Sequence, residues 1–154
     1  MKIVIGSDHA GFELKETLIQ HFKQSGHTVD DVGAYNAEAS DYPVFGVKVV
    51  SAVSNHKADR GIVICGNGIG MSIVANKFPG VRAALAFTEK MAKETREHND
   101  SNVLSLAGRD LPADLNLKIA DVWITTPFSN LERHTRRVAE ITKLEQDLSK
   151  RHEV

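Results

Sequence analysis

Short apolar runs alternate with longer segments of helical periodicity along the chain. This alternation is typical of repeated βα units, whose parallel strands form a sheet that helices cover on both faces. It predicts five strands, over Lys2–Gly6, Thr28–Gly33, Gly61–Cys65, Val81–Phe87 and Asn102–Ala107. It predicts helices over Gly11–Ser25, Pro43–His56, Met71–Lys77, Thr88–Glu97, Pro112–Thr125 and Arg133–Lys150. We therefore expect an α/β fold: a single three-layer α/β/α domain over residues 1–154, with a five-stranded, parallel, doubly wound, Rossmann-like sheet and an extended C-terminal helix.

The last predicted helix carries a narrow apolar stripe on an otherwise charged surface. Val138, Ile141, Leu144 and Leu148 recur at spacings of three or four residues and so share one helix face. An apolar stripe of this kind is expected to pack against another surface. Two such surfaces remain possible at this point: the rest of the same domain, or a second subunit. No internal repeat, low-complexity tract or linker divides the chain.

Composition and charge restrict the partners of this domain. A chain of 154 residues with 42% hydrophobic side chains can bury a core without disulfides. The formal net charge of -1 gives no global basic field, so neither nucleic acid nor a membrane is the expected partner. We find no secretory signal, no apolar run long enough to span a bilayer, and a single cysteine. These features favour a cytoplasmic protein with a small-molecule ligand.

Polar residues follow several of the predicted strands. In open α/β sheets, ligands bind beyond the carboxyl ends of the strands. Asp8 and His9 follow the first strand, Asp41 the second, Cys65–Gly70 closes the third, and Gly108-Arg109 follows the fifth. His98 and Asn99 come just before the fifth strand and could fold over the same edge.

The only cysteine, Cys65, ends an apolar run and is followed by alternating glycines, Gly66, Gly68 and Gly70. Such glycines let backbone N–H groups approach an anion, and a nearby helix N-terminus favours the thiolate over the thiol. Two plainer interpretations stay open: a small buried side chain and a tight strand-to-helix turn. The spacing excludes a dinucleotide fingerprint and a Cys-x5-Arg phosphatase loop, because of Met71, and a thioredoxin-like cysteine pair, because of Gly68.

Further residues offer proton transfer and phosphate binding. Asp8, His9 and His98 can move protons between oxygens near neutral pH, although an aspartate here can equally cap a helix and a histidine can bond a carbonyl. Arg133 and Arg137 are four residues apart, so on a helix both guanidinium forks point the same way, which suits a phosphate. The alternative for this pair is an ordinary solvated helix face.

Together these motifs resemble the family of type B ribose-5-phosphate isomerases, which includes allose-6-phosphate and galactose-6-phosphate isomerases. The matching segments are Ser7-Asp8-His9-Ala10-Gly11, Asp41-Tyr42-Pro43, Ile64-Cys65-Gly66-Asn67-Gly68-Ile69-Gly70, Ala75-Asn76-Lys77, His98-Asn99-Asp100, Asn102-Val103, Gly108-Arg109-Asp110 and Arg133-His134-x-x-Arg137-Val138. The resemblance implies an aldose–ketose isomerase, without metal or cofactor, that interconverts D-ribose 5-phosphate and D-ribulose 5-phosphate through a cis-enediolate. The alternatives are isomerisation of allose 6-phosphate or galactose 6-phosphate, and a non-catalytic sugar-phosphate sensor.

The resemblance also implies a role for each site residue. Cys65 would be the base that removes the carbon-bound proton, His98 would open the furanose ring, and Asp8 would assist. The implied substrate-binding residues are His9, Gly66, Asn67, Gly68, Ile69, Gly70, Asn99, Arg109, Arg133 and Arg137. It implies a homodimer or a tetramer, in which His98 and the arginine pair reach the partner's Cys65 pocket. Asn67 stands where many family members have threonine, which bears on the choice of sugar more than on the reaction type.

Overall fold

A computed structural model describes residues 1–151, and all five strands form one parallel sheet. The strands are β1 (Lys2–Ser7), β2 (Thr28–Asp31), β3 (Arg60–Cys65), β4 (Ala83–Leu85) and β5 (Val103–Ala107), in the order β2-β1-β3-β5-β4. The helices are α1 (Phe12–Gln24), α2 (Tyr42–Ser54), α3 (Ile69–Ala75), α4 (Glu89–Asn99), α5 (Ala113–Thr125) and α6 (Glu132–Arg151), and a 3-10 turn covers His9–Gly11. The predicted α/β fold is confirmed. Residues 152–154 of the predicted domain lie outside the described residues.

Two hydrophobic cores lie on opposite faces of the sheet, which explains the continuous apolar runs of the central strands. In β3, Ile62 and Ile64 face a core under α1, α4 and α5, whereas Val63 and Cys65 face a core under α2 and α3. Trp123 of α5 is fully buried in the first core. Its indole N–H donates to the Ser101 hydroxyl at 2.8 Å, so burying the ring leaves no polar group unpaired.

Every predicted helix and strand is present, with ends that agree within two residues. In proportion to its length, the edge strand β4 differs most from its predicted bounds: it covers Ala83–Leu85 instead of Val81–Phe87. β4 pairs only with β5, and just before it the Arg82 N–H donates to the Asn102 side chain at 2.8 Å. Just before this strand, a side chain thus takes the place of a backbone partner in the hydrogen bonding between β4 and β5. Within residues 1–151, no helix has the length and apolar character needed to cross a membrane.

The C-terminal helix α6 packs against α4 but leaves its apolar stripe uncovered by the described residues of the chain. Ile141, Leu144 and Leu148 face an open groove of about 870 Å³ whose other wall includes β4. Leu144 is 60% exposed. Two packing partners were considered for this stripe, the same domain and a second subunit. Within residues 1–151, the same domain does not pack over it.

Candidate active site

The carboxyl ends of β1, β3 and β5 meet at one edge of the sheet, here called the carboxyl edge. The Asp8 N–H donates to the Ile64 carbonyl at 3.2 Å, and the Arg109 N–H donates to the Gly66 carbonyl at 2.9 Å. The Gly108 N–H donates to the Cys65 carbonyl at 2.8 Å. The structure therefore brings Asp8, Cys65 and Arg109 to the same edge, as the sequence predicts.

The loop Gly66–Gly70 is held by close packing from both sides. Gly68 begins α3 with φ +77°, and a Cβ there would lie 2.6 Å from a methyl group of Leu85. The buried Ser105 hydroxyl donates to the Gly68 carbonyl at 2.6 Å, a support that sequence reasoning missed because its only signal is one serine within an apolar strand. A Cβ on Gly70 would lie 2.6 Å from the Tyr42 ring. The glycines thus form a tight strand-to-helix turn whose backbone is fixed in place.

Asn67 and Ile69 lie at the exposed side of this loop. The Asn67 side-chain oxygen accepts the Ile69 N–H at 3.0 Å, which is an Asx turn. One N–H group of the loop is therefore occupied by the chain's own side chain. The Asn67 amide nitrogen carries two further donors that can face a ligand.

Cys65 belongs to the core under α2 and α3 and keeps 5% of its surface exposed. Its backbone is fixed on one side by Gly108 and followed on the other by Gly66. A Cβ on Gly66 would lie 3.9 Å from side-chain carbons of Ala10 and Arg109, so nothing crowds the loop at this point. Cys65 is therefore largely shielded from bulk water, and the next residue, Gly66, is partly exposed.

Asp8 and His9 are both anchored at this edge. Asp8 is 6% exposed, and its Oδ1 accepts the N–H groups of Ala10 at 2.9 Å and Gly11 at 3.1 Å. The capping role considered for Asp8 is thus present, and it uses one carboxylate oxygen. The His9 Nδ1 lies 3.2 Å from both the N–H and the carbonyl oxygen of Ser40. Either tautomer of His9 therefore has a partner at Nδ1, which leaves Nε2 for a ligand.

His98 and Asn99 lie at the opposite, amino edge of the sheet. They end α4, which starts after β4 and returns to the start of β5. Arg82, which directly precedes β4, donates from Nε to the Asn99 carbonyl at 3.1 Å. The expectation that these residues fold over the Cys65 edge is wrong for a single chain. The reason is geometric, because a helix that joins two parallel strands must run back to their starting edge.

Four basic residues and one asparagine lie together at this edge and form what we call the basic cluster: His98, Asn99, Arg133, His134 and Arg137. The rings of His98 and His134 lie 4.5 Å apart between centroids. His134 is 4% exposed, and its Nδ1 lies 2.7 Å from the Ser129 hydroxyl. Loss of hydration lowers the pKa of His134 below 6.5, and the charges of Arg133, His98 and Arg137 lower it further. The arginines therefore carry the positive charge while His134 favours its neutral form.

His134 belongs to the basic cluster, although the sequence alone did not single it out as a candidate site residue. The available signal was its place between Arg133 and Arg137 on the same helix. Its contact with His98 depends on how α6 packs on α4, which the sequence pattern does not specify. Among residues 1–151, no group of three or more His, Cys, Asp or Glu side chains is arranged to hold a metal ion.

The structure thus defines an α/β protein with a parallel Rossmann-like sheet. A cysteine followed by a glycine loop lies at the carboxyl edge of this sheet, and the basic cluster lies at the other edge. The family described as Ribose/Galactose Isomerase matches residues 3–141 of the chain. The chain belongs to this family.

Relatives agree along almost the whole chain. Ribose-5-phosphate isomerase B of Escherichia coli is 41% identical over 145 residues, which cover 94% of this chain and 97% of that protein. The structure of ribose-5-phosphate isomerase B from Clostridium thermocellum superposes with a TM-score of 0.93 at 47% identity, covering 96% of this chain and 99% of that one. The enzyme from Mycoplasma genitalium with bound ribulose-5-phosphate superposes with a TM-score of 0.90 at 39% identity, covering 94% and 96%.

Proposed function

We propose that this protein interconverts D-ribose 5-phosphate and D-ribulose 5-phosphate through a cis-enediolate, without metal or cofactor, and that the whole chain forms one isomerase domain. The observation that carries the proposal is Cys65 at the carboxyl end of β3, beside a fixed glycine loop and Arg109. The Mycoplasma genitalium relative bound to ribulose-5-phosphate supports this choice of substrate.

In the proposed reaction, the Cys65 thiolate takes the proton from C2 of the open-chain aldose. The electron pair moves toward C1, and negative charge develops on the aldehyde oxygen. Backbone N–H groups of the loop Gly66–Gly70 stabilise that charge, an effect worth about 2.7–4 kcal/mol for one such donor in other enzymes. The proton of the C2 hydroxyl moves to O1, and the thiol returns its proton to C1, which gives the ketose.

The remaining residues prepare and hold the substrate. His98 opens the furanose ring as acid and base, assisted by the Asp8 carboxylate oxygen that does not cap the 3-10 turn. Asn99, Asn67 and the loop bind sugar oxygens. His9, Arg109, Arg133 and Arg137 bind hydroxyls or phosphate, and binding the remote phosphate positions the reacting carbon.

The site is complete only when two copies of the chain meet. Cys65 and Asp8 lie at the carboxyl edge, whereas His98 and the two arginines lie at the amino edge. We infer a homodimer in which the basic cluster of one subunit faces the Cys65 edge of its partner, because a two-fold axis then yields two identical sites. A tetramer built from such dimers fits equally well.

Uncovered apolar surface supports this assembly. The α6 stripe faces an open groove, and a second exposed apolar face on α2 and α3 includes Val44, Val47, Ile69 and Ile73. Ile69 is part of the glycine loop itself, so this second face adjoins the Cys65 edge. The proposed partners are a second copy of the chain and a small sugar phosphate, with no nucleic acid and no membrane, and the proposed location is the cytoplasm.

The Asx turn of Asn67 favours one alternative, a different sugar phosphate, because the amide presents donors where a hydroxyl is common in the family. Turnover of ribose 5-phosphate, allose 6-phosphate and galactose 6-phosphate by the purified protein decides between them. We expect the pentose phosphate to have the highest kcat/KM. Negligible turnover of the pentose would reject the proposed substrate, and binding of all three without hydrogen exchange from deuterated solvent would indicate a sensor.

A further inference from the structure

The short connection between α4 and β5, residues 100–102, begins with an aspartate whose carboxylate binds two arginines. Asp100 ends α4 in the left-handed region, with φ 47° and ψ 46°. Its Oδ1 accepts from Arg96 Nη1 at 2.8 Å, and its Oδ2 accepts from Arg82 Nη2 at 3.0 Å. Left-handed backbone is uncommon for a residue other than glycine, so these contacts stabilise a helix end that would otherwise be unfavourable.

Arg82 also fixes the backbone next to His98. Its Nε donates to the Asn99 carbonyl at 3.1 Å and to the Asp100 carbonyl at 3.0 Å. The last carbonyl groups of a helix have no partner within the helix, and here a charged donor from before β4 supplies one. The direction in which α4 presents His98 is therefore set by tertiary contacts as well as by the helix itself.

Arg96 connects this helix end to the segment that leads into α6. Arg96 is 2% exposed, and its side chain donates to the Ser101 carbonyl and, from Nε, to the Thr126 carbonyl at 3.2 Å. Thr126 directly follows α5 and starts the connection to α6, which carries Arg133 and Arg137. One buried guanidinium thus joins the end of α4 to the start of the connection that leads into α6.

Asp100 is also the counter-ion for a crowded group of cations. Burial and then the nearby Arg96 lower the pKa of Arg60, whereas Asp100 acts in the opposite direction. A buried guanidinium without its carboxylate is strongly unfavourable, so Asp100 keeps Arg96 in its position. The same Arg96 guanidinium that binds Asp100 also donates to the Ser101 and Thr126 carbonyl groups.

We propose that Arg96 and Asp100 are positioning residues, a clamp that holds His98 and the Arg133/Arg137 pair as one preorganised unit facing the partner subunit. The inference rests on the proposed function, since it assigns ring opening to His98 and phosphate binding to the arginines. In this assignment neither clamp residue binds the substrate. Their effect comes through the placement of groups that do, and a misplacement of about 1 Å in such a group can cost roughly 100-fold in rate.

The test compares two reactions of the Asp100→Asn variant. Isomerisation of ribose 5-phosphate requires opening of a furanose ring. Exchange of the C1 hydrogen of ribulose 5-phosphate with deuterated solvent does not, because the phosphate on its C5 oxygen prevents furanose formation. For Asp100→Asn we expect the isomerisation kcat to fall about 10- to 100-fold, the KM to rise for both substrates, and the exchange kcat at saturation to stay within about twofold of wild type.

Glu94→Gln is the matched control, because Glu94 lies on the same helix in an exposed ion pair with Lys90 at 3.7 Å. It should leave kcat and KM unchanged, both for isomerisation of ribose 5-phosphate and for hydrogen exchange of ribulose 5-phosphate. Arg82→Gln removes the less buried of the two arginines that bind Asp100, and it should show the same separation of the two kcat values to a smaller degree. The test therefore does not depend on one variant folding. Asp100→Glu should recover part of the lost isomerisation.

Two outcomes would overturn the clamp. Wild-type kinetics in both Asp100→Asn and Arg82→Gln would show that the contacts do not position the site. Isomerisation and exchange could instead fall equally, in proportion to the folded fraction measured by thermal unfolding. That result would show that the clamp only stabilises the fold and does not position the site. Failure of the proposed function is distinguishable, because wild-type protein would then not isomerise ribose 5-phosphate, or His98→Asn would leave isomerisation unchanged.

Discussion

The two edges of the sheet present different kinds of polar groups. At the carboxyl edge, backbone groups dominate: the loop Gly66–Gly70 is fixed by Ser105 and Tyr42, and the Asp8 side chain is tied to N–H groups. At the amino edge, charged side chains dominate, and Arg82, Arg96 and Asp100 form a network around the end of α4. Backbone donors suit charge that develops during a reaction, whereas charged side chains suit binding of a charge that is always present.

The strongest test of the carboxyl edge is removal of the carbon base. Cys65→Ala should lower both isomerisation of ribose 5-phosphate and hydrogen exchange into ribulose 5-phosphate by roughly 10²- to 10⁴-fold, as expected for loss of a positioned proton-transfer group. His98→Asn, at the other edge, should lower isomerisation but retain exchange. Exchange followed by NMR in deuterated solvent measures both, and full exchange in Cys65→Ala would assign the base to another residue.

The arginines of the amino edge should affect binding more than chemistry. Arg133→Gln and Arg137→Gln each remove charge-assisted hydrogen bonds to phosphate, so we expect kcat/KM to fall about 10- to 100-fold, mainly through KM. Arg136→Gln is the control, because Arg136 pairs with Glu132 and Glu140 on the exposed side of α6. Steady-state kinetics suffice, and a dominant loss in kcat at unchanged KM would contradict a binding role.

The glycine loop should be sensitive to a single methyl group. Gly68→Ala combines φ +77° with a Cβ 2.6 Å from Leu85, so we expect the free energy of unfolding to fall by about 2–4 kcal/mol. Gly26→Ala is the matched control, since Gly26 has φ +84° but nothing within 4 Å of a Cβ. Its loss should be only about 1 kcal/mol, the cost of the backbone conformation alone. Urea unfolding measures both, and equal losses would exclude packing against the loop as the cause.

The smallest expected effect is a pH dependence at the amino edge. The pKa of His134 is lowered on folding from its ordinary value of 6.5 by lost hydration and neighbouring positive charge. The unfolded chain then binds more protons below pH 6.5, so the contribution of His134 to stability is complete above that pH and is lost as pH falls through the folded pKa. His134→Gln should flatten the decline in Tm between pH 6.5 and pH 5, which thermal unfolding at several pH values can check. An unchanged slope would exclude His134 as its source.

The sequence predicts one edge of this molecule better than the other. Asp8, Cys65 and Arg109 each follow a strand directly, so the rule for parallel sheets places them together without further information. His98 is close in sequence to β5, but at its starting end, and the direction of α4 sends it to the opposite edge. Its contacts with His134, and those of Arg96 with Thr126, join segments about 30 residues apart through helix packing. Periodicity identifies such helices but does not specify which side chains meet.

In the proposed dimer, each working site combines the Cys65 edge of one subunit with the basic cluster of its partner. Mixing inactive Cys65→Ala with inactive His98→Asn, followed by subunit exchange, tests this directly, because a mixed dimer then contains one intact site. Random exchange of equal amounts should restore about a quarter of the wild-type isomerisation rate, since half of the dimers are mixed and each has one of two sites intact. No recovery, with mixed dimers demonstrated by native mass spectrometry, would contradict a shared site.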